Sequence, residues 1–394
     1  MYNNYQINKK IIDYKSKDYA DNILDGEIIL DCSLGVNQDQ IEENVFNVLK
    51  SFEAPSENNP GKFLEIKSYP HDDSIKNELV EWYKNLGIDF LTKDNFILGN
   101  GSYDILCNLN RLFLTNEKKV LGHAPQFTAY IDSVNCSDSI YESYRIPKEN
   151  NYTFDCDAYL SSMNESYSLF IIENPNNPTG QIIPLIGLKK IGQKAKELNR
   201  VLVVDEAYGE YLKPEESAIN LIKELDNVIV TRSFSKGWGM AGIRLGYAIT
   251  SRENGIFEQL EKIELGFCSN ALARLIAKTA VKSKIEKADP FNTELIKSKK
   301  MILKDALNEI QIKYGYSFKI ANTNNEVPIL MLYNDDNNRD INLQEELFKQ
   351  GILTVSCSTY DGLDKNAVRI MLPNIEEMPA LVKGIEESIK KIIL

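Results

Sequence analysis

The sequence has few of the residues that build metal sites, and it lacks long apolar runs. Its 394 residues include only two histidines, His71 and His123, and six scattered cysteines without a Cys-x-x-Cys pair. No metal site is expected, because zinc sites need clustered Cys and His ligands. No apolar run approaches the roughly 18–20 residues that span a bilayer, and the polar start "MYNNYQINKK" does not resemble a secretory signal. These absences predict a cytoplasmic protein with reduced cysteines and no membrane partner.

The sequence also lacks a basic excess. Lys and Arg number 45 against 57 Asp and Glu, the net charge is −12 and the pI is near 5.0. A nucleic-acid-binding protein usually shows a basic stripe, so no nucleic-acid partner is expected. The composition, 43% hydrophobic and 26% charged, is that of a globular protein. Because the chain is long for one core, we predict two lobes.

Short apolar runs alternate with helical patterns in the middle of the chain. Turn or polar residues bound each run, as expected for strands buried on both faces of a parallel sheet. The runs are "SLFIIENP" (168–175), "VLVVDEAY" (201–208), "NVIVTRSFS" (227–235) and "LGYAIT" (245–250). Between the first two, "LIGLKKIGQKAKELN" carries apolar residues at helical spacing. The alternation predicts an α/β fold with a mostly parallel central sheet flanked by helices.

The C-terminal part predicts a second, smaller α+β lobe. "EVPILMLYN" and "AVRIML" have the pattern of strands, and "NLQEELFKQGI" and "MPALVKGIEESIKKIIL" have that of amphipathic helices. The segment from about 255 to 315 is helical in pattern and would connect the two lobes. We therefore predict a large domain over 55–285 and a discontinuous small domain over 1–54 and 286–394.

Polar residues stand at the ends of several predicted strands. Ligands of open α/β sheets bind at the carboxyl ends of the strands, so "IIENPNNPTG", "VVDEAY" and "VTRSFSK" should bring polar groups to one crevice. "NFILGNGSYDIL" predicts a strand, a turn at Gly99 and Gly101, and a helix that begins near Tyr103. A helix N-terminus favours an anion. The pattern is not G-x-G-x-x-G, so it does not predict a dinucleotide site.

A lysine, an aspartate and an arginine complete the candidate site. Asp205 ends one apolar run, and a carboxylate there needs a salt bridge, a helix cap or a cationic ligand group. Lys236 follows the next run, where desolvation and nearby cations can make a lysine nucleophilic toward carbonyls. Ser233, Ser235 and Arg244 would form a phosphate cup with the helix N-terminus. A ligand with a phosphate, a carbonyl, a basic nitrogen and a flat ring meets all these needs, and pyridoxal phosphate has each of them.

Several motifs, in order and spacing, give the chain a family resemblance. "NPNNPTG" (174–180), "VVDEAYGEY" (203–211) and "SFSKGWGMAGIRLGY" (233–247) carry most of it. It extends across nearly the whole chain through "SYP" (68–70), "ILGNGSYDIL" (97–106), "APQFTAYI" (124–131) and "VRIMLP" (368–373). The chain resembles the fold-type I class I/II aminotransferases, in particular their histidinol-phosphate aminotransferase branch. The resemblance implies pyridoxal 5′-phosphate as cofactor and an amino acid and a 2-oxo acid as substrates.

The resemblance also implies catalytic roles. Lys236 would bind the cofactor's aldehyde as a Schiff base and, once the substrate amine has displaced it, act as general base at Cα. Asp205 would pair with the ring nitrogen, Asn177 and Tyr208 would bind the phenolic oxygen, and Phe127 would stack on the ring. Lys236, Asp205 and Tyr208 would thus be the catalytic residues.

Further residues would hold the phosphate side of the cofactor, the substrate and the second subunit. Arg369 would clamp the substrate α-carboxylate, with Asn177 and the "SLGVN" segment (33–37) around Gly35 also on the substrate side. Tyr69 would reach the phosphate of the neighbouring subunit, which implies a homodimer. Cofactor contacts on the phosphate side are expected from Gly101, Ser102, Tyr103, Ser233, Ser235 and Arg244.

The sequence departs from this branch on the substrate side. Where the branch shows "GILVR", the chain has "GILTVSCSTYDGL" (351–363), with Thr354 and Val355 in place of an arginine. The usual "ANF" becomes "EVPIL" (326–330), and Pro373 stands where glycine is common. A substrate other than histidinol phosphate is therefore expected. The same loss disfavours threonine-phosphate decarboxylase, which also binds a distal phosphate.

Three functions remain open from the sequence. The leading hypothesis is an aminotransferase that acts on a free amino acid. The second keeps the cofactor but decarboxylates, eliminates or oxidises, as an arginine-oxidase-like enzyme or hydroxylase does, and the cofactor motifs do not separate it from the first. The third is a cofactor-binding regulator without chemistry, which would need a fused DNA-binding domain for which we see no room.

Overall fold

The computed structural model describes residues 26–37, 41, 43–50, 68–71, 73–114, 117–264 and 266–393. The strands among them are β1 (Leu30–Asp31), β2 (Phe96–Gly99), β3 (Lys119–Ala124), β4 (Ile140–Arg145), β5 (Tyr167–Glu173), β6 (Val201–Asp205), β7 (Val228–Ser233), β8 (Gly246–Thr250), β9 (Lys319–Ile320), β10 (Ile329–Tyr333), β11 (Ile352–Leu353), β12 (Val355–Ser356) and β13 (Ala367–Met371). The helices are α1 (Glu43–Lys50), α2 (Ser74–Asn85), α3 (Ser102–Phe113), α4 (Thr128–Cys136), α5 (Cys156–Ser162), α6 (Leu185–Glu197), α7 (Ile256–Ile263), α8 (Ala271–Lys284), α9 (Thr293–Tyr314), α10 (Leu343–Phe348) and α11 (Met378–Ile393).

A seven-stranded sheet forms the centre of the molecule. Its strand order is β2-β8-β7-β6-β5-β3-β4. From β7 to β4 all neighbours pair in parallel, and β8 runs antiparallel to both β7 and β2. The prediction of a mostly parallel central sheet is confirmed, and all four predicted apolar runs form strands. The run over 245–250 forms β8, which runs antiparallel to the other three predicted strands.

The apolar runs form strands because helices cover both faces of this sheet. Phe170 and Ile172 of β5 belong to the core on one face, and Leu169 and Ile171 belong to the core on the other. This alternation is the two-residue period of a strand. α6 contacts β6 on the first face, and α3 contacts β7 and β8 on the second. A strand between two apolar layers carries apolar residues at every position.

A smaller sheet lies in the C-terminal part of the chain. Its order is β12-β13-β10-β9, and its pairs are antiparallel. α11 contacts α9 and α10, and β1 pairs in parallel with β11. The predicted strands over "EVPILMLYN" and "AVRIML" and the closing helix are confirmed. The predicted domain boundary near residue 54 lies outside the described residues.

The long connecting segment is helical, as the sequence predicts. α7, α8 and α9 follow one another between the two sheets in the chain order. α8 contacts α1 and α2. Within the described ranges, no helix combines the length and the apolar character that crossing a membrane requires.

Replacement of Ile229 by alanine tests the core of the central sheet. Ile229 lies in β7 with no exposed surface, whereas Ile312 on α9 is 85% exposed. We expect Ile229→Ala to lower the free energy of unfolding of the cofactor-free protein by about 2–5 kcal/mol. Ile312→Ala, the matched control, should change it by less than about 0.5 kcal/mol. Urea unfolding measures both values, and equal losses in the two variants would contradict this assignment of the core.

Candidate active site

The carboxyl ends of three neighbouring strands open into one cavity. Glu173 ends β5, Asp205 ends β6 and Ser233 ends β7, and these strands run parallel side by side. All three residues line a cavity of about 310 Å³. A larger cleft of about 860 Å³, between α9 and β9, contains none of the predicted site residues. The chemistry of the lining, and not its size, therefore identifies the site.

Most of the residues predicted for the site meet in this cavity. Gly101 lies beside the cavity, next to Arg244, and Tyr69 lies outside it. Twelve of the fourteen predicted residues line the cavity, namely Gly35, Ser102, Tyr103, Phe127, Asn177, Asp205, Tyr208, Ser233, Ser235, Lys236, Arg244 and Arg369.

One end of the cavity has the donors that an anion needs. Gly101 precedes α3 with a φ of 83°, which favours glycine, and the first N–H groups of a helix have no partner within it. A Cβ on Gly101 would lie 3.0 Å from Arg244 Nη2, so glycine permits this close approach. Arg244 Nη1 donates to Ser235 Oγ at 3.5 Å, and the backbone N–H of Ser235 donates to Ser233 Oγ at 3.1 Å. Backbone donors, hydroxyls and a guanidinium together suit a phosphate.

A buried carboxylate occupies another part of the cavity wall. Asp205 is 5% exposed, and its Oδ1 accepts from the Thr231 hydroxyl at 2.8 Å and from the Ala207 N–H at 3.2 Å. Burial raises the pKa of Asp205 to about 6, although these bonds and the charge of Lys236 act to lower it. A second cationic group in the cavity would favour the ionised form further. Asp205 is thus suited to pair with a protonated ring nitrogen.

Gly35 allows three polar groups to approach one another. The Tyr208 hydroxyl donates to the Gly35 carbonyl at 3.1 Å. A Cβ on Gly35 would collide with that hydroxyl and would lie 3.4 Å from Arg369 Nη1 and 3.5 Å from Lys236 Nζ. Burial raises the pKa of Tyr208 to about 12, so its hydroxyl remains a donor at neutral pH. Lys236 Nζ lies 5.4 Å from the centre of the Tyr208 ring.

The smaller sheet supplies an arginine to the cavity. Arg369 lies on β13, and its guanidinium donates to the Ser33 carbonyl and, at 3.4 Å, to Asn177 Oδ1. Val355 pairs with Arg369 across the sheet, and Thr354 is buried. Val355, which stands where the related branch has an arginine, therefore places a neutral side chain next to Arg369.

Tyr69 belongs to an exposed aromatic group. Its side chain is 71% exposed, and its ring stacks on that of Phe267 with 4.7 Å between the ring centres. His71 packs edge-on against the same Phe267 ring at 4.9 Å. The chain does not bring Tyr69 to its own cavity.

Sequence reasoning missed several lining residues. The charged one is Glu173, which had a signal, since it is an acidic residue at the end of the apolar run "SLFII". The other missed residues lack charged groups and had no comparable signal; they are Pro175, Ala207 and Ala241. Ser33, Leu34 and Val36 belong to the "SLGVN" segment that was expected on the substrate side, and they line the cavity. Tyr360 was also missed, and its hydroxyl donates to Asn177 Oδ1 at 3.1 Å.

The donor set fits pyridoxal 5′-phosphate. The cofactor's aldehyde requires an amine, which Lys236 supplies, and its phosphate requires donors such as those around Gly101 and Arg244. Its ring nitrogen requires an acid, and Asp205 lines the same cavity. Asn177 and Tyr208 add hydrogen-bonding groups for the phenolic oxygen.

Comparison with known proteins identifies the family. The sequence profile of the family "Aminotransferase class I and II" matches residues 31–385. The chain belongs to the class I and II aminotransferases. Pyridoxal phosphate is the cofactor of this family, and the match supports transamination and not the alternative of a decarboxylase or oxidase.

The chain is similar to histidinol-phosphate aminotransferases. It is 28% identical to that of Methanocaldococcus jannaschii over 312 residues, 79% of each chain. It is 30% identical to that of Clostridium novyi over 328 residues, 80% of this chain and 81% of the relative. Both alignments extend over most of the two chains, as expected for members of one aminotransferase family.

Solved structures of aminotransferases share the fold. The histidinol-phosphate aminotransferase of Clostridium acetobutylicum superposes with a TM-score of 0.75 at 20% identity, over 92% of this chain and all of that one. The enzyme of Sinorhizobium meliloti, solved in complex with pyridoxal-5′-phosphate, gives 0.74 at 18% identity over 98% of both chains. A variant of the Thermus thermophilus aspartate aminotransferase gives 0.77 at 16% identity, over 98% of this chain and 100% of that one.

Replacement of Asp205 by asparagine tests the electrostatics of this aminotransferase's cavity. Because the pKa of Asp205 rises from 3.8 to about 6 on folding, the folded cofactor-free protein binds more protons than the unfolded chain between those values. Its stability therefore falls as the pH rises from about 4 to 6. The amide that replaces the carboxylate keeps an oxygen for both hydrogen bonds and has no charge. We expect cofactor-free Asp205→Asn to exceed wild type by roughly 3 kcal/mol above pH 6, and the difference to vanish near pH 4.

Urea unfolding of the cofactor-free proteins at a series of pH values measures this difference. Asp157→Asn is the matched control, since the Asp157 side chain is 83% exposed, and it should follow wild type at every pH. An Asp205→Asn curve parallel to that of wild type would mean that Asp205 does not titrate as its burial predicts.

Proposed function

We propose that the protein transfers the amino group of an α-amino acid with an uncharged side chain to a 2-oxo acid, with pyridoxal phosphate bound through Lys236. The observation that carries the proposal is the meeting of an amine, a buried carboxylate and a buried guanidinium in one cavity. These groups belong to Lys236, Asp205 and Arg369. Each matches one demand of the reaction, namely a covalent tether, a partner for the ring nitrogen and a partner for the substrate carboxylate.

The protein's residues prepare the cofactor for this reaction. When bound, pyridoxal phosphate supplies an aldehyde that reacts with amines and a ring that accepts the electrons of a broken Cα–H bond. Asp205 would hold a proton on the ring nitrogen by its negative charge. Tyr208 and Asn177 would orient the phenolic oxygen, and the anion site around Gly101 and Arg244 would hold the phosphate.

Lys236 moves the proton in the proposed mechanism. With substrate in the cavity, the ε-amine of Lys236 would act as the general base that takes the proton from substrate Cα and holds it for return. Proton transfer by a positioned base contributes about 10²–10⁴-fold in rate. The bound cofactor would carry the amino group from the amino acid to the 2-oxo acid.

Arg369 orients the amino acid for this transfer. A guanidinium has five N–H donors in a planar fork that matches a carboxylate. Its bonds to the Ser33 carbonyl and Asn177 Oδ1 fix the guanidinium plane on two sides. The plane can therefore set the position of Cα relative to Lys236.

The substrate side chain is proposed to be uncharged because of the charges that line the described part of the cavity. Its cations, Lys236, Arg244 and Arg369, all have roles at the cofactor or the α-carboxylate. Its acids, Glu173 and Asp205, lie on strand ends at the proposed ring position. The apolar side chains of Leu34 and Val36 line the same cavity. Although the relatives act on histidinol phosphate, no further lysine or arginine among the described lining residues remains for a distal phosphate.

A substrate screen in half-reactions tests this function. Purified protein loaded with pyridoxal phosphate is mixed with one amine at a time, and the visible absorbance of the cofactor is followed. We expect uncharged amino acids to convert the cofactor to its aminated form, and histidinol phosphate and arginine to do so at least about 100-fold less efficiently. Preference for histidinol phosphate would refute the substrate class, and oxygen consumption without an acceptor would refute transamination.

Replacement of Lys236 supplies the control for this screen. Lys236→Ala should lose essentially all turnover, whereas Lys189→Ala should keep it, because the Lys189 side chain lies on α6 in an ion pair with Glu224. Full activity of Lys236→Ala would assign the chemistry to another residue.

We also propose a cytoplasmic homodimer in which Tyr69 completes the cavity of the partner. The position of Tyr69 outside its own cavity supports this, as does its exposure with Phe267.

Six free cysteines support a reducing compartment. The proposed domains, 55–285 against 1–54 with 286–394, agree with the two sheets, which lie within 96–250 and 319–371.

Mixing two impaired variants tests the dimer. We expect a mass of about twice 44.8 kDa in solution. Lys236→Ala and Tyr69→Phe should each be impaired at limiting cofactor, and mixed subunits should recover up to about a quarter of wild-type activity, because half of the dimers then contain one intact site. No recovery, with both proteins dimeric, would place the role of Tyr69 within its own chain.

A further inference from the structure

Glu173 is a buried carboxyl group whose partners lie on two different turns. It is 4% exposed and lines the cavity beside Asp205, its neighbour across the β5–β6 pair. Its Oε1 accepts from the backbone N–H of Phe127 at 3.0 Å. Its Oε2 accepts from the backbone N–H of Asn177 and from Asn176 Nδ2, both at 3.2 Å. One side chain thus ties the turn that carries Phe127 to the turn that carries Asn177.

This set of donors requires an acceptor at both ends of the group. A carboxylate has two accepting oxygens, whereas glutamine has one oxygen and an NH₂ that only donates. Glutamine at position 173 would therefore place a donor against the donors of one turn. Aspartate keeps both oxygens but is shorter by one CH₂, so it cannot span both turns from the same backbone position.

The charged surroundings of Glu173 favour a cationic ligand beside it. Burial, followed by the charge of Asp205, raises the pKa of Glu173 well above its usual range, and the three N–H donors act to lower it. His123 Nε2 accepts from the Glu173 backbone N–H, and burial lowers the pKa of His123 to about 4, so this ring is neutral. The hydroxyls of Tyr208 and Tyr360 face the same region and stay protonated, since burial raises the pKa of each.

Two other elements place titratable groups near Glu173. Tyr141 on β4 stays neutral, because burial raises its pKa well above the usual value. Lys236 follows β7, and its charge acts on Asp205. Two adjacent carboxyl groups therefore share this part of the cavity, and a protonated ring nitrogen would bring a further positive charge to them.

We propose that Glu173 is a positioning residue for the cofactor ring. By holding both turns, it fixes the Phe127 ring and the Asn177 amide, the groups assigned to the face and the phenolic oxygen of the cofactor. It acts through these residues and does not touch the reacting atoms. The inference rests on the proposed function, because it concerns how the same cavity holds pyridoxal phosphate.

The test compares cofactor binding in four proteins, namely wild type, Glu173→Gln, Glu173→Asp and Glu142→Gln. Glu142 is a matched control, since its carboxylate also accepts two bonds, from Lys119 and Tyr167 at 2.7 Å each, and it lies on β4 outside the cavity. The measurements are the rate at which pyridoxal phosphate leaves the protein, the visible circular dichroism of the bound cofactor, and the melting temperatures with and without it. Circular dichroism in this band reports a ring held in one orientation.

We expect both Glu173 variants to release the cofactor about tenfold faster or more. They should also lose most of the visible circular dichroism and show a smaller rise in melting temperature on binding. Glu142→Gln should match wild type in all three measurements. Glu173→Asp keeps the carboxylate and shortens the side chain, so it separates the effect of side-chain length from the effect of charge.

Several outcomes would overturn the proposal. One is a Glu173→Gln protein that releases the cofactor at the wild-type rate and keeps the wild-type circular dichroism. Another is an equal fall in the melting temperatures of the cofactor-bound and cofactor-free forms, because a purely structural role would lower both alike. If Glu173→Gln does not fold, a wild-type rate of cofactor release from Glu173→Asp would show that Glu173 does not position the cofactor ring. Wild type that binds no pyridoxal phosphate would instead refute the proposed function, so the two failures are distinguishable.

Discussion

The burial of Asp205 at the end of β6 is the constraint on which the site depends. A carboxylate removed from water destabilises the folded protein unless hydrogen bonds or a cation compensate it. Thr231 and Ala207 supply two hydrogen bonds, and Lys236 supplies the charge, yet the pKa of Asp205 still rises. The cofactor-free cavity therefore retains an unfavourable interaction that a protonated ring nitrogen would relieve in the proposed complex. The burial of Asp205 would then lower the stability of the free protein and raise its affinity for the cofactor, a trade-off common at functional sites.

The topology explains why this carboxylate faces polar neighbours and not only the core. Parallel strands place all their carboxyl ends at one edge, so Asp205 lies between Glu173 on β5 and Thr231 on β7. The smaller sheet then brings Arg369 to the same cavity, and the segment near Gly35 closes its side. The proposed phosphate site depends on a helix N-terminus, and the proposed substrate side depends on contacts between distant parts of the chain.

Local signals predicted β2 and β5 to β8 of the central sheet, but not β3 or β4, and they predicted most of the site. Apolar runs identified β5, β6 and β7, and Lys236 and Asp205 stood out because each follows such a run. β8 was identified as a strand, but its antiparallel direction depends on strand order, which composition does not encode. The contact of Tyr360 with Asn177 joins residues 183 positions apart, and no local pattern records such a pairing. Glu173 was visible as an acidic strand end, but its function depends on two turns that only the fold brings together.

A buried ion pair supports the loop that carries Lys236. Arg232 and Glu206 lie 2.6 Å apart, with side chains at most 7% exposed. Glu210 packs against Gly237, where any Cβ would collide with it. Burial raises the pKa of Glu210 to about 7, against the charge of Arg232. Such pairs add little net stability, but loss of one partner is costly because it leaves a buried charge uncompensated.

Aromatic packing completes this support and explains Trp238. Its ring lies 5.1–5.3 Å from those of Trp82, Phe234 and Phe291, and it is 5% exposed, so it is a core residue behind the loop. The carbonyl of Lys236 accepts backbone bonds at 3.0 Å from Asn37 and Gly239. The backbone of Lys236 is thus fixed on several sides. In the proposed reaction only its side chain moves between cofactor and substrate, so the amine returns to the same place in each half of the cycle.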